Sequence, residues 1–171
     1  YKGRVVCEGN RVRDEEGLNA VFSDQGSSGN LMPAGKFLDA VSLLPGCKGE
    51  QSDAVSAYTQ ALLYGDGRTT AIDIWISLPP ERQAPEWKNI KDPVCRLRLA
   101  LYGHPLSGLF WERKCHQALT KHGWKPIPDW ECCFTHDQLG LVLSVYVDDF
   151  KMAGRKGNMA ADGLPFNKNY N

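Results

Sequence analysis

Leu141-Val142-Leu143-Ser144-Val145-Tyr146-Val147-Asp148-Asp149-Phe150-Lys151-Met152-Ala153 decides the reading of this 171-residue chain. The apolar run up to Val147 has the length of a strand and stops at two adjacent aspartates, after which Phe150 to Ala153 resume a short apolar stretch. The pattern predicts a strand, a break at the aspartates, and a second extended segment. Two carboxylates that close disfavour each other's ionisation unless a cation compensates them. A hairpin tip that presents both to a divalent ion removes that penalty. The plain alternative is a solvated β-turn, because aspartate is a frequent turn former.

Asp53 is the other carboxylate that matters. Ala54, Ala57, Tyr58, Ala61 and Leu62 follow it at helical spacing, so Asp53 is expected to cap the N-terminus of a helix that Gly65-Asp66-Gly67 ends. Together with the doublet it makes a three-carboxylate set of the kind that holds two Mg²⁺ ions ~3.5–4 Å apart for in-line phosphoryl transfer. Hard carboxylate oxygens, with no His or Cys, are what Mg²⁺ prefers.

Around these residues, Lys2-Gly3-Arg4-Val5-Val6-Cys7 suits a strand, a polar stretch runs from Glu8 to Glu16, and Asp24 to Asn30 is a turn-rich loop. Pro33 opens an expected helix with Phe37, Ala40, Val41 and Leu44 on one face, stopped by Pro45-Gly46. Ile72, Ile74, Ile76 and Leu78 alternate with polar or aromatic neighbours and predict a half-buried strand that ends at Pro79-Pro80. Val94 to Leu101 is extended or a short helix. Ser107 to His122 is expected as a helix with Trp111, Cys115, Ala118, Leu119 and His122 on one face and Gly123 as its cap. Trp130 to Thr135 and Leu141 to Val147 read as strands joined through a turn at His136-Asp137-Gln138. Helices and strands mix without a βαβ rhythm, which points to α+β.

Composition bounds the function classes. Hydrophobic residues at 42% and charged residues at 23% describe a globular chain. The 20 basic and 20 acidic residues cancel, so any nucleic-acid contact must come from a local patch rather than an overall basic excess. Six cysteines without a CxxC pair and without a preceding secretory signal read as reduced thiols in an intracellular protein, with cytoplasm and nucleus left open. A zinc site from Cys115, His116, Cys132, Cys133 and His136 fits structural zinc spacings poorly. The apolar run Leu139 to Val147 is far shorter than the ~20 residues of a membrane helix, so no membrane partner is expected. The chain begins with Tyr1 rather than Met and is expected to be cut from something longer.

Tyr146-Val147-Asp148-Asp149 resembles the signature of reverse transcriptases, and its context resembles the copia type of retrotransposon. Tyr1 to Val6 looks like the opening fingers segment of that domain, and Ser52-Asp53-Ala54-Val55-Ser56-Ala57-Tyr58 like the block with its first catalytic aspartate. Ile74 to Pro79 looks like the following strand, and Val94 to Leu97 with Leu99 to Gly103 like the next block; Trp111 falls where the family places a tryptophan. The blocks stand in order from residue 1 to about Gly154.

The resemblance implies the fingers and palm of a right-hand polymerase, an antiparallel palm sheet on helices over residues 1–154, with a truncated or divergent tail at 155–171 and no thumb. It implies an RNA-directed DNA polymerase that uses two Mg²⁺ (or Mn²⁺) ions, dNTP, and an RNA or DNA template with primer. An intact element would supply the remaining parts of a Pol polyprotein. Asp53 and Asp148 would be the principal metal ligands, Asp149 the third carboxylate, and the Ala54 carbonyl a further ligand. Tyr58 would lie under the sugar of the nucleotide and exclude a 2′-hydroxyl by bulk. Arg4, or Lys2, would bind the triphosphate, and Tyr102 and Gly103 would approach nucleotide or template. One departure stands out: the family's Leu-Lys-Gln-Ala-Pro run is His104-Pro105-Leu106-Ser107-Gly108 here, with Pro105 at the lysine position. The alternatives are an inactive retroelement remnant and a non-enzymatic interaction fragment.

Overall fold

The structure, a computed structural model, describes residues 5–22, 32–63 and 73–161, with the backbone alone at 160 and 161. Helix α1 spans Met32–Ser42 and α2 Ser107–Lys121. The strands are β1 (Cys47–Asp53), β2 (Ile74–Ser77), β3 (Val94–Leu97), β4 (Lys125–Pro126), β5 (Cys133–His136), β6 (Leu141–Tyr146) and β7 (Asp149–Arg155). Five of them form an antiparallel sheet in the order β1-β7-β6-β5-β4, and β2 pairs with β3 as a separate antiparallel ribbon. The architecture is α+β, as the mixed pattern of elements predicts.

Pairing register sets the two faces of the sheet. Leu143 pairs with Met152 and Val145 with Phe150, and all four are buried in one cluster with Trp111, Cys115 and Leu119 of α2. On the opposite face Ala153 pairs with Val142, and Lys151 Nζ meets Asp39 Oδ1 of α1 at 2.7 Å. A helix thus lies against each side. A second cluster joins Ala61, Leu63, Ala100, Leu106 and Phe110. Its backbone is tied by Leu63 N–H donating to the Arg98 carbonyl (3.0 Å) and Ala100 N–H to the Ala61 carbonyl (2.8 Å).

Three expectations change. Asp53 ends a strand and is not a helix cap: β1 runs through Asp53, and beyond it only Tyr58–Gln60 make a single 3-10 turn. The reason is competition for backbone groups. Seven residues of β1 find partners on β7, and the Ala54 N–H carries that pairing one step further by donating to the Asp148 carbonyl at 2.7 Å. The spacing still marks burial, since Ala54, Ala57 and Ala61 are all buried. Helix α1 buries Ala34 and Leu38, while Phe37 is 44% exposed and turns edge-on to Trp130 at 5.5 Å. Val5 to Cys7 is not a strand, and residues 1–4 and the loop 24–30 lie outside the described residues.

Elsewhere the expected elements are present with shifted bounds: the strand expected over Trp130 to Thr135 begins only at Cys133 and runs through His136, and Ile72 and the stop at Gly65-Asp66-Gly67 lie outside the described residues. Helix α2 buries Ser107, Phe110, Trp111, Cys115 and Leu119. The undecided segment at Val94 is strand β3. Past Gly154 the chain continues: Arg155 closes β7, the Lys156 N–H donates to the Gly46 carbonyl at 3.0 Å, and Met159 is buried in the main cluster. Among the described residues no helix is long and apolar enough to cross a membrane.

Candidate functional site at the β6–β7 hairpin

The tip between β6 and β7 consists of Val147 and Asp148, and Tyr146 pairs with Asp149 across it. Strand β1 lies on the other side of β7 in a register that sets Asp53 directly opposite Asp149. Residues facing each other across antiparallel strands have side chains on one face ~4.5–5.5 Å apart at Cβ, so two aspartates placed this way are forced together. Across the strands the two carboxyl groups are placed to share a proton in acid, and to repel each other once both are ionised. Hydrogen bonding to Asp53 first, then slight desolvation and the charges of Asp53 and Asp148, pushes the Asp149 carboxyl above its ordinary value.

Tyr58 lies beside this group. Burial first, then the Asp148 carboxylate and the phenols of Tyr102 and Tyr146, push its hydroxyl up. The Tyr58 and Tyr102 rings sit 4.6 Å apart between centroids, tilted by 47°. Gly103 adopts φ +88, and an added Cβ would stand 2.1 Å from the Cys7 carbonyl oxygen. Glycine here admits the backbone of the N-terminal segment, whose Cys7 N–H donates to the Tyr102 carbonyl at 2.6 Å. At the departure after Gly103, His104 is buried, accepts the Leu106 N–H through Nδ1 at 3.2 Å, and is held below its ordinary pKa by burial.

The fold therefore brings together Asp53, Ala54, Asp148, Asp149, Tyr58 and Tyr102 from three separate stretches of chain, with Gly103 adjoining. Lys2 and Arg4 lie outside the described residues. Among the described residues no three His, Cys, Asp or Glu side chains converge as a formed metal centre. The donor chemistry of the carboxylate set nevertheless fits a hard divalent cation, because Asp53 and Asp149 offer hard oxygens from facing strand positions.

Two features escape a reading by motif. The Trp111 indole N–H donates to the Val147 carbonyl at 2.5 Å, and Val147 itself has φ 55. Buried tryptophans normally satisfy their N–H, so a Trp on an apolar helix face is a signal that a partner exists, though not which one. A cavity of about 570 Å³ opens next to the tip, lined by Tyr58, Trp111, Cys115, Trp130, Cys132 and Val147 among others. Burial first, then Cys132 and Glu112, pushes the Cys115 thiol up to about 12. Against an ordinary value of 9.0, its thiolate fraction near pH 8 is lower by a factor on the order of 10³. Mass-spectrometric mapping after iodoacetamide at pH 8 is expected to find Cys132 alkylated well before Cys115; equal rates would show that Cys115 is not enclosed.

Comparison with protein-family models, with curated proteins and with solved structures finds no match for this chain.

Proposed function

We propose that the chain is the fingers and palm of a copia-type reverse transcriptase, an RNA-directed DNA polymerase. One observation carries the reading above all: the register that places Asp53 against Asp149 beside Asp148. An acidic doublet in a surface turn needs no third carboxylate across a strand, and a like-charged cross-strand pair lowers stability unless it serves another purpose.

In the proposed reaction the primer 3′-hydroxyl attacks the α-phosphorus of a dNTP and pyrophosphate leaves. Bound Mg²⁺ or Mn²⁺ would supply the charge that favours the attacking alkoxide and the departing pyrophosphate. Asp53, Asp148 and Asp149 would hold the ions, with the Ala54 carbonyl available beside them. Tyr58, backed by Tyr102, would form the floor against which the sugar lies, and its bulk would disfavour a 2′-hydroxyl. The triphosphate contact assigned by resemblance to Arg4 or Lys2 remains part of the proposal.

Extension of a primer annealed to an RNA template, dependent on Mg²⁺ or Mn²⁺ and on dNTP, is the expected result. No extension with either ion, by a folded protein, defeats it and leaves the second reading, an inactive remnant. Two observations favour that second reading: Pro105 stands where the family has a lysine, and the described residues hold no formed three-ligand centre.

A further inference from the structure

We propose that Trp111 is a positioning residue whose indole N–H holds the hairpin tip in the conformation that presents Asp148; this rests on the reading of Asp148 as a site carboxylate. Val147 occupies the left-handed region at φ 55. Hairpin tips with positive φ ordinarily use Gly, Asn or Asp, and for a β-branched residue that conformation is a true outlier. The local sequence does not favour this turn, so tertiary contacts must impose it.

Two hydrogen bonds do so. The Val147 carbonyl accepts from Trp111 Nε1 at 2.5 Å, and the Asp148 carbonyl accepts from the Ala54 N–H at 2.7 Å. These carbonyls belong to the two peptide planes on either side of the Asp148 Cα. Fixing both planes fixes the direction in which its side chain leaves the backbone. Trp111 is suited to this task because it is itself enclosed: it is 2% exposed and packed in the core on α2. The tip is thus set before any ion or nucleotide arrives, and an arrangement set in advance loses less on binding.

The test replaces the donor and keeps the ring. Trp111→3-benzothienylalanine substitutes sulfur for the indole N–H at nearly the same volume, and W111F serves as a second, genetically encoded variant. Two quantities are read: hydrogen exchange of the Ala54 amide, and kcat against KM for dNTP in primer extension. Loss of one hydrogen bond should speed Ala54 exchange roughly 5- to 10-fold. The same variant should lower kcat with KM little changed. Placed in a V147G background, where glycine takes positive φ freely, removal of the donor should change exchange by less than about 3-fold. Unchanged Ala54 exchange in the benzothienylalanine protein overturns the tether. Faster exchange with undiminished kcat overturns the positioning role. Faster exchange in a protein that extends no primer, wild type included, leaves the tether standing and defeats the polymerase reading instead.

Discussion

Asp148→Asn is expected to lower the rate of metal-dependent primer extension by a factor on the order of 10²–10³, the size of effect seen when one group that stabilises transition-state charge is removed. The fold should survive, since the Asp148 contact that the backbone uses is its carbonyl, which accepts from Ala54 and is untouched by the substitution. Asp149→Asn should also depress extension, but with a second consequence of opposite sign. Asp149 faces Asp53 across the strands, and like charges directly opposite destabilise a sheet by about 0.2–1 kcal/mol. The neutral variant should therefore be more stable than wild type near pH 7. In wild type the Asp149 carboxyl is raised in the folded state, so the folded chain binds the proton more tightly than the unfolded chain. Its contribution to stability is fully present below the ordinary value of 3.8 and is lost as pH rises through the raised folded value. The advantage of the Asn variant should accordingly vanish in acid and appear towards neutrality. Thermal unfolding at pH 3 and pH 7, without divalent ions, measures it. A variant less stable than wild type at pH 7 would show that the pair is not repulsive.

That loss of stability explains why the site was partly legible in the sequence. Adjacent acids at the end of an apolar strand conflict with every local preference, and such conflicts concentrate where function outweighs stability. Tyr146-Val147-Asp148-Asp149 and the strands around it could be placed because β6 and β7 are apolar enough to betray their burial. Helix α2 was legible from its apolar face and from Gly123. Strand β1 was not. Its residues Lys48, Gly49, Glu50, Gln51 and Ser52 carry no apolar alternation, because its pairing depends on β7 and little of it is buried. The helical spacing of Ala54, Ala57 and Ala61 then suggested that Asp53 was a cap, when these alanines are buried on an irregular segment. Periodicity reports burial, and it names the element only when the backbone has no better partner. The pairing of Asp53 with Asp149 spans ninety-six positions, and no local signal could give its register.

Trp124→Ala is the substitution expected to damage the fold most, by about 3–5 kcal/mol, which approaches the whole stability of a small domain. Helix α2 ends at Gly123, whose φ of +88 lets the chain turn back. The Gly123 N–H then donates to the Thr120 carbonyl and the Trp124 N–H to the Leu119 carbonyl, both at 3.1 Å, the two bonds of a Schellman cap. That cap is completed by an apolar contact between the residue after the glycine and the last turn, and here Trp124, 1% exposed, joins fully buried Leu119 in the main cluster. Trp124 also stands edge-on to His136 of β5 at 5.4 Å, and His136 Nε2 bonds the His122 carbonyl at 3.1 Å. One ring therefore seals the end of α2 against the sheet, and alanine would leave a void that neither the helix nor β5 can close. Urea unfolding should show the midpoint shifted by that amount with little change in slope. Trp75→Ala, at a side chain 59% exposed on β2, should shift it by less than about 0.5 kcal/mol. Equal effects at the two tryptophans would mean that α2 is not anchored at its C-terminus, and Trp111, two and a half turns or so earlier on the same helix, would then have no rigid base from which to hold Val147.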